Sequence, residues 1–263
     1  MNASRRTGDS RELYPILEFD PEREALIEPA RVVTPIDAPE YCVICFFQEV
    51  ISTLCREGGA KVIACEKSEV GEHPVYEITV EGKRCAVIHP GIGAPFAAAL
   101  LEYVIALGCR KFIACGSAGV LDEAIAVGHI VVPSSAVRDE GTSYHYLPPG
   151  REVNPSPEGL AAIEKVLTAH GRDYVVAKTW TTDAFYRETP GRIARRRSEG
   201  CLTVEMEASA LFAVAEFRGL VLAQMLYGGD DVSSNEWDPR GRDSRASVRK
   251  DLFQLAVEAC LAL

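Results

Sequence analysis

Apolar and polar positions along the chain follow two alternating periods, one of strand length and one of helical spacing. Residues 41–47 (YCVICFF) form an unbroken apolar run of strand length, and 48–56 continues at helical spacing until Gly58-Gly59 stops it. Residues 61–65, 75–80 and 84–88 predict strands, the last two joined by Glu81-Gly82-Lys83 as a hairpin turn. A helix over 94–107 ends at Gly108, and 111–115 is the next strand. Residues 130–133 begin another strand, and 134–149 reads as an excursion towards a site. Helices are expected over 157–170 and 190–199, the second carrying Arg192, Arg195, Arg196 and Arg197. Strands at 174–179, 202–204 and 220–226, with helices at 208–217 and 243–263, complete the pattern. Such alternation predicts an α/β fold, a three-layer α/β/α sandwich with a mixed central sheet. Residues 1–40, rich in charge and proline, read as an irregular arm with a short amphipathic piece near 21–27. Residues 41–263 read as one domain.

Four of the predicted strands finish in glycines, acids or small polar residues: His89-Pro90-Gly91-Ile92-Gly93, Gly116-Ser117-Ala118-Gly119, Glu205-Met206-Glu207 and Gly228-Gly229-Asp230-Asp231. Strand carboxyl ends are where α/β sheets bind ligands. Two carboxylates around Met206 at such a position suit a polar ligand rich in hydroxyls, because buried acids need partners. The alternative is that Glu205 and Glu207 are first-turn acids that complement a helix dipole.

Bulk properties narrow the class. A chain of 263 residues with 47% hydrophobic residues can bury a sizeable core, and its net charge of −10 excludes nonspecific nucleic-acid binding. No apolar run approaches the roughly 20 residues that span a bilayer. Residues 1–11 are polar and basic without an apolar signal core, so no secretion is expected. Most of the nine cysteines lie within apolar strands. Cys42 and Cys45 have the two-residue spacing of a metal or redox pair, but no second pair or histidines accompany them, so buried reduced thiols and a cytoplasmic location are expected.

The segments HPGIGAP (His89 to Pro95), GSAG (Gly116 to Gly119), TTDAFY (Thr181 to Tyr186), VEMEASA (Val204 to Ala210) and GGDD, in this order, resemble the nucleoside phosphorylase superfamily. That superfamily includes purine nucleoside and uridine phosphorylases and the methylthioadenosine nucleosidases. The resemblance implies that Glu207 accepts hydrogen bonds from the ribose hydroxyls and that Met206 packs beneath the sugar. Asp230 would protonate a purine base with Arg245 assisting, and Phe185 would stack on the base. Gly91, Gly93 and Ser117 would face phosphate, the co-substrate, with no other cofactor and no metal. The phosphorylases carry an arginine where this chain has Ala114, and a glutamine that reads uracil is missing after Phe185. Glu49 falls where the nucleosidases keep a water-activating glutamate.

Three activities follow. The first is phosphorolysis of a nucleoside, purine favoured, to base and pentose 1-phosphate. The second is hydrolysis with Glu49 as general base. The third is nucleoside binding without turnover. The resemblance further implies a homo-oligomer, dimer or hexamer, with nucleoside and phosphate as its small-molecule partners and neither nucleic acid nor membrane.

Overall fold

Ten strands hydrogen-bond into one mixed sheet, with helices on both faces. The computed structural model describes residues 12–234, 236–241 and 245–263; the first eleven residues of the arm and the first two of the predicted terminal helix lie outside the described residues. In chain order the elements are α1 (Pro29–Val32), β1 (Tyr41–Cys45), α2 (Gln48–Arg56), β2 (Lys61–Ser68), β3 (Gly71–Val80), β4 (Lys83–Ile88) and α3 (Ala94–Leu107). They continue with β5 (Lys111–Val120), β6 (Ile130–Asp139), β7 (Glu152–Val153), α4 (Pro157–Ala169), β8 (Tyr174–Thr182) and α5 (Pro190–Ser198). The last are β9 (Cys201–Glu205), α6 (Ala208–Arg218), β10 (Val221–Asp231) and α7 (Ala246–Leu261).

Alternation along β1 sorts its residues between the two layers. Val43 and Cys45 pack with Val50, Ile163, Leu252 and Leu255, from α2, α4 and α7. Cys42 and Ile44 pack with Ala97, Leu101, Leu211 and Phe212, from α3 and α6. Side chains one apart on a strand point to opposite faces. Cys42 and Cys45 are therefore separated by the sheet and make no chelating pair.

The sheet has an open wing, β2-β3-β4-β1, and a closed ring in which β5, β10, β6, β8 and β9 pair in turn and β9 returns to β5. Closure needs β5 and β10 to run beyond the apolar segments that predict them. Glycines allow it. A Cβ at Gly119 would stand 3.0 Å from Val204 of β9, and one at Gly228 would stand 2.8 Å from Ile125. Side chains at either place would force neighbouring strands apart. A register shift between Gly228 and Asp231 bends the end of β10.

Strand β6 also runs to Asp139, further than the pattern predicts. Pro133 removes a backbone donor, and the β6–β8 register shifts between Pro133 and Ser135, which lets the ladder resume beyond it. In the arm, residues 21–27 carry no helix. The helix begins instead at Pro29, where a missing N–H costs nothing. The arm lies on the body through a Glu28–Arg218 ion pair and Arg23 over the Phe217 ring.

Candidate active site

The handover from β9 to α6 puts two carboxylates in different roles. Glu205 points inward. Its Oε2 accepts the N–H groups of Glu207 (2.7 Å) and Ala208 (2.6 Å), and its Oε1 accepts the Thr181 hydroxyl (2.6 Å). It therefore satisfies open donors at the start of α6, where negative charge is also favoured. Burial pushes its carboxyl above the usual range, against the pull of those donors. A second buried acid, Glu140, accepts the Ser209 hydroxyl (2.9 Å) and the Ser143 N–H (2.9 Å), fixing the start of α6 to the turn after β6.

Glu207, also buried, reaches the loop before α3. Its Oε1 accepts the N–H of Gly93 (2.6 Å) and its Oε2 the N–H of Met206 (3.2 Å). Burial, followed by the neighbouring Glu205 charge, pushes its pKa up to about 8. The loop that meets it is shaped by glycine. Gly91 has φ +76°, and a Cβ there would fall 2.0 Å from the Phe96 ring. Its N–H donates to His89 Nδ1 (3.1 Å). Both loop amides expected to face phosphate thus have acceptors within the protein. Ser117 is exposed on β5, opposite Tyr227 of β10.

A second cluster, at the end of β10, is acidic and aromatic. Asp230, the penultimate residue of β10, accepts the Trp237 indole N–H at 2.8 Å and lies beside Gly119, whose partner across the ladder is Val204. Asp230 and the Glu205–Glu207 segment therefore flank the same strand ends. Asp231 instead pairs with Arg240; burial raises its carboxyl, but Ser233 and Arg240 hold it below the usual range. A second carboxyl that feels the Asp230 charge is Glu188. Burial, then the Asp230 charge, push Glu188 up to about 7, against the pull of Arg192.

Phe185 stands three residues before Glu188, half exposed, with its ring 4.0 Å from that of Tyr186. Arg245 is buried and donates to the carbonyls of Pro239 (2.6 Å) and Arg240 (3.2 Å). It abuts Gly229, and among the described residues it makes no hydrogen bond to Asp230. Its position braces the turn that carries Asp230.

Glu49 occupies a third corner. Its Oε1 accepts from Arg249 Nη1 at 2.7 Å, and Arg249 Nε donates to the Tyr227 hydroxyl at 2.9 Å. Burial raises the Glu49 carboxyl, but the Arg249 bond, its own backbone and nearby charges outweigh it and hold the group below its usual range. His89, beside Glu49, is lowered chiefly by burial. The structure thus gathers Met206, Glu207 and Gly93 at one place and Asp230, Glu188 and Trp237 at another. Arg249, Glu188 and Trp237 escape sequence reading. An acid shortly after Phe185 was the visible signal for Glu188, while nothing local marks Arg249 or Trp237.

Comparison with known proteins gives the class. The model of the phosphorylase superfamily matches residues 40–262, and the chain belongs to that family. It is 27% identical to the guanosine phosphorylase of Halorubrum lacusprofundi over 202 residues, 75% of this chain and 84% of that protein. It is 27% identical to the uridine phosphorylase of Thermococcus kodakarensis over 209 residues, 73% of this chain and 76% of that protein. The solved uridine phosphorylase from Vibrio fischeri ES114 shares the fold, with a TM-score of 0.72 at 24% identity, covering 90% of this chain and 96% of that one. Among the described residues no helix is long and apolar enough to cross a membrane.

Proposed function

We propose that the protein cleaves the N-glycosidic bond of a nucleoside by phosphorolysis, releasing the base and a pentose 1-phosphate. The observation that carries this is Glu207. A buried carboxyl whose two oxygens are fixed by the N–H groups of Gly93 and Met206 is preorganised to meet a ribose diol, and the neighbouring Met206 side chain would pack under the sugar. In the reaction a phosphate oxygen forms a bond to C1′ while the C1′–N bond breaks and its electron pair moves onto the base. The base then takes a proton. Asp230 gives it, and Glu188, which keeps its proton up to about pH 7, resupplies it. Phe185 stacks on the base, and Arg245 keeps the Asp230 turn in place. Gly91 and Gly93 shape the phosphate side, with Ser117 offering a hydroxyl.

Asp230 favours a purine, since N7 is the acceptor such an acid serves, and the missing glutamine disfavours uracil. The guanosine-cleaving relative supports the same preference, and the uridine-cleaving relatives make a direct test necessary. Hydrolysis by Glu49 is the second reading. Its pairing with Arg249 works against it, because a carboxylate held low is a weak base. We further propose a homo-oligomer, with the arm at an interface, and a cytoplasmic location, in keeping with nine unpaired cysteines. Light scattering that gives a fully active monomer would refute the first of these.

Base release from a panel of purine and pyrimidine nucleosides, with and without phosphate, tests the activity. Phosphorolysis requires release only with phosphate. Release without phosphate would hand the reaction to Glu49, and binding without release would leave a nucleoside-binding protein.

A further inference from the structure

The position two residues before Gly116 is Ala114, fully buried and packed among residues of the α3–α6 layer. That position therefore supplies no cation. Yet phosphate needs a guanidinium or its equivalent, because backbone and hydroxyl donors alone leave a dianion poorly compensated. Arg249 on α7 meets the geometric requirements from the opposite layer. Its guanidinium lies over the Phe47 ring, 5.8 Å from the centroid, and its Nε is fixed by the Tyr227 hydroxyl. Tyr227 is the register partner of Ser117, so the hydroxyl expected on phosphate and the tyrosine that anchors Arg249 project from the same sheet face on adjacent strands. The arginine side chain is 22% exposed, and that of Glu49, which it binds, is 46% exposed, so the pair is open to solvent.

We propose that Arg249 is the phosphate-binding arginine of this enzyme, and that Glu49 occupies its fork as an internal anion until inorganic phosphate displaces it. The proposal rests on the phosphorolytic reading and gives it the cation that Ala114 cannot supply. It also gives Glu49 a role other than water activation: an oxyanion arriving next to Arg249 removes an attractive partner from Glu49 and leaves its carboxylate in solvent. Anchoring by Tyr227 and stacking on Phe47 hold the guanidinium in place through the exchange, so little conformational freedom is lost when phosphate binds.

Calorimetric binding of inorganic phosphate to the full chain, beside phosphate and nucleoside KM values, tests this. Arg249→Met keeps the packing on Phe47 but removes the charge. It should weaken phosphate binding and raise the phosphate KM at least about tenfold, with the nucleoside KM changed by less than about threefold. Arg249→Lys should restore part of the binding, because it keeps the charge without the fork. Glu49→Gln should tighten phosphate binding severalfold, since the competing anion is gone; this variant keeps the proposal open to test if Arg249→Met does not fold. Unchanged phosphate affinity in Arg249→Met, or unchanged or weaker affinity in Glu49→Gln, would overturn it, as would a wild-type protein that binds no phosphate. If the wild type binds phosphate through Arg249 but releases base without it, the phosphorolytic reading fails and the anion site stands.

Discussion

Replacing Glu207 by Gln should remove activity and make the stability of the protein less sensitive to alkali. In the folded chain Glu207 binds its proton up to about pH 8, whereas an exposed glutamate loses it near 4.5. A raised carboxyl pKa means the folded state holds a proton the unfolded state has released. Stability is therefore highest below the unfolded value and declines as pH rises through 4.5 to 8, reaching its full loss above 8. At about 1.4 kcal/mol per pH unit the whole separation corresponds to roughly 5 kcal/mol. Only the part between pH 6 and about 8 falls within a titration from pH 6 to 9, so a loss on the order of 3 kcal/mol is expected there. With a urea m-value of about 3 kcal/mol/M, that is a fall of roughly 1 M in the unfolding midpoint.

The glutamine side chain of the Glu207→Gln variant has no charge to lose. Its carboxamide oxygen can accept only one of the Gly93 and Met206 N–H groups, and its NH2 opposes the other, which costs about 1 kcal/mol at all pH values. Urea titrations at fixed protein concentration from pH 6 to 9 should therefore give converging or crossing curves. The variant should be weaker at pH 6 and equal or stronger at pH 9. Parallel curves would show that Glu207 does not carry the alkaline loss, and the electrostatic account of the crevice would be wrong.

Other perturbations separate structure from chemistry. Glu205→Ala leaves the N–H groups of Glu207 and Ala208 and the Thr181 hydroxyl without their acceptor, and should cost about 3 kcal/mol or more in chemical denaturation, with insoluble expression as its extreme form. Asp230→Asn should lower kcat for purine nucleosides by about 100-fold or more while leaving the melting temperature within a few degrees; full activity would remove Asp230 from the proton transfer. Gly91→Ala meets both the Phe96 ring and a positive φ. It should shift the loop that holds Glu207 and raise the nucleoside KM, and a kinetically silent variant would deny that the loop positions the carboxyl.

Much of the element order was readable because strands and helices leave local marks. Cys42, Val43, Ile44 and Cys45 make a strand buried on both faces, and Gly108 and Gly219 mark helix ends. Glu207 and Asp230 stand out because each lies where a strand gives way to a turn or helix, and Glu49 stands out only through the family resemblance. Their working surroundings do not. The extension of β5 and β10 through glycine-rich segments reads as loops, since glycine gives no apolar period, and only their pairing with each other and with β9 makes strands of them.

The division follows from the range of the forces involved. Backbone preference, apolar period and turn chemistry act between near neighbours, so the chain by itself determined its elements, their order and the acids at the strand ends. Burial and electrostatic pairing depend on what the fold brings together. Thr181 beside Glu205, Glu188 beside Asp230, and Arg249 on Glu49 across 200 residues were decided by the tertiary structure alone. The same holds for the charge state of Glu207, which comes from its depth and from a neighbour whose side chain the fold turns inward.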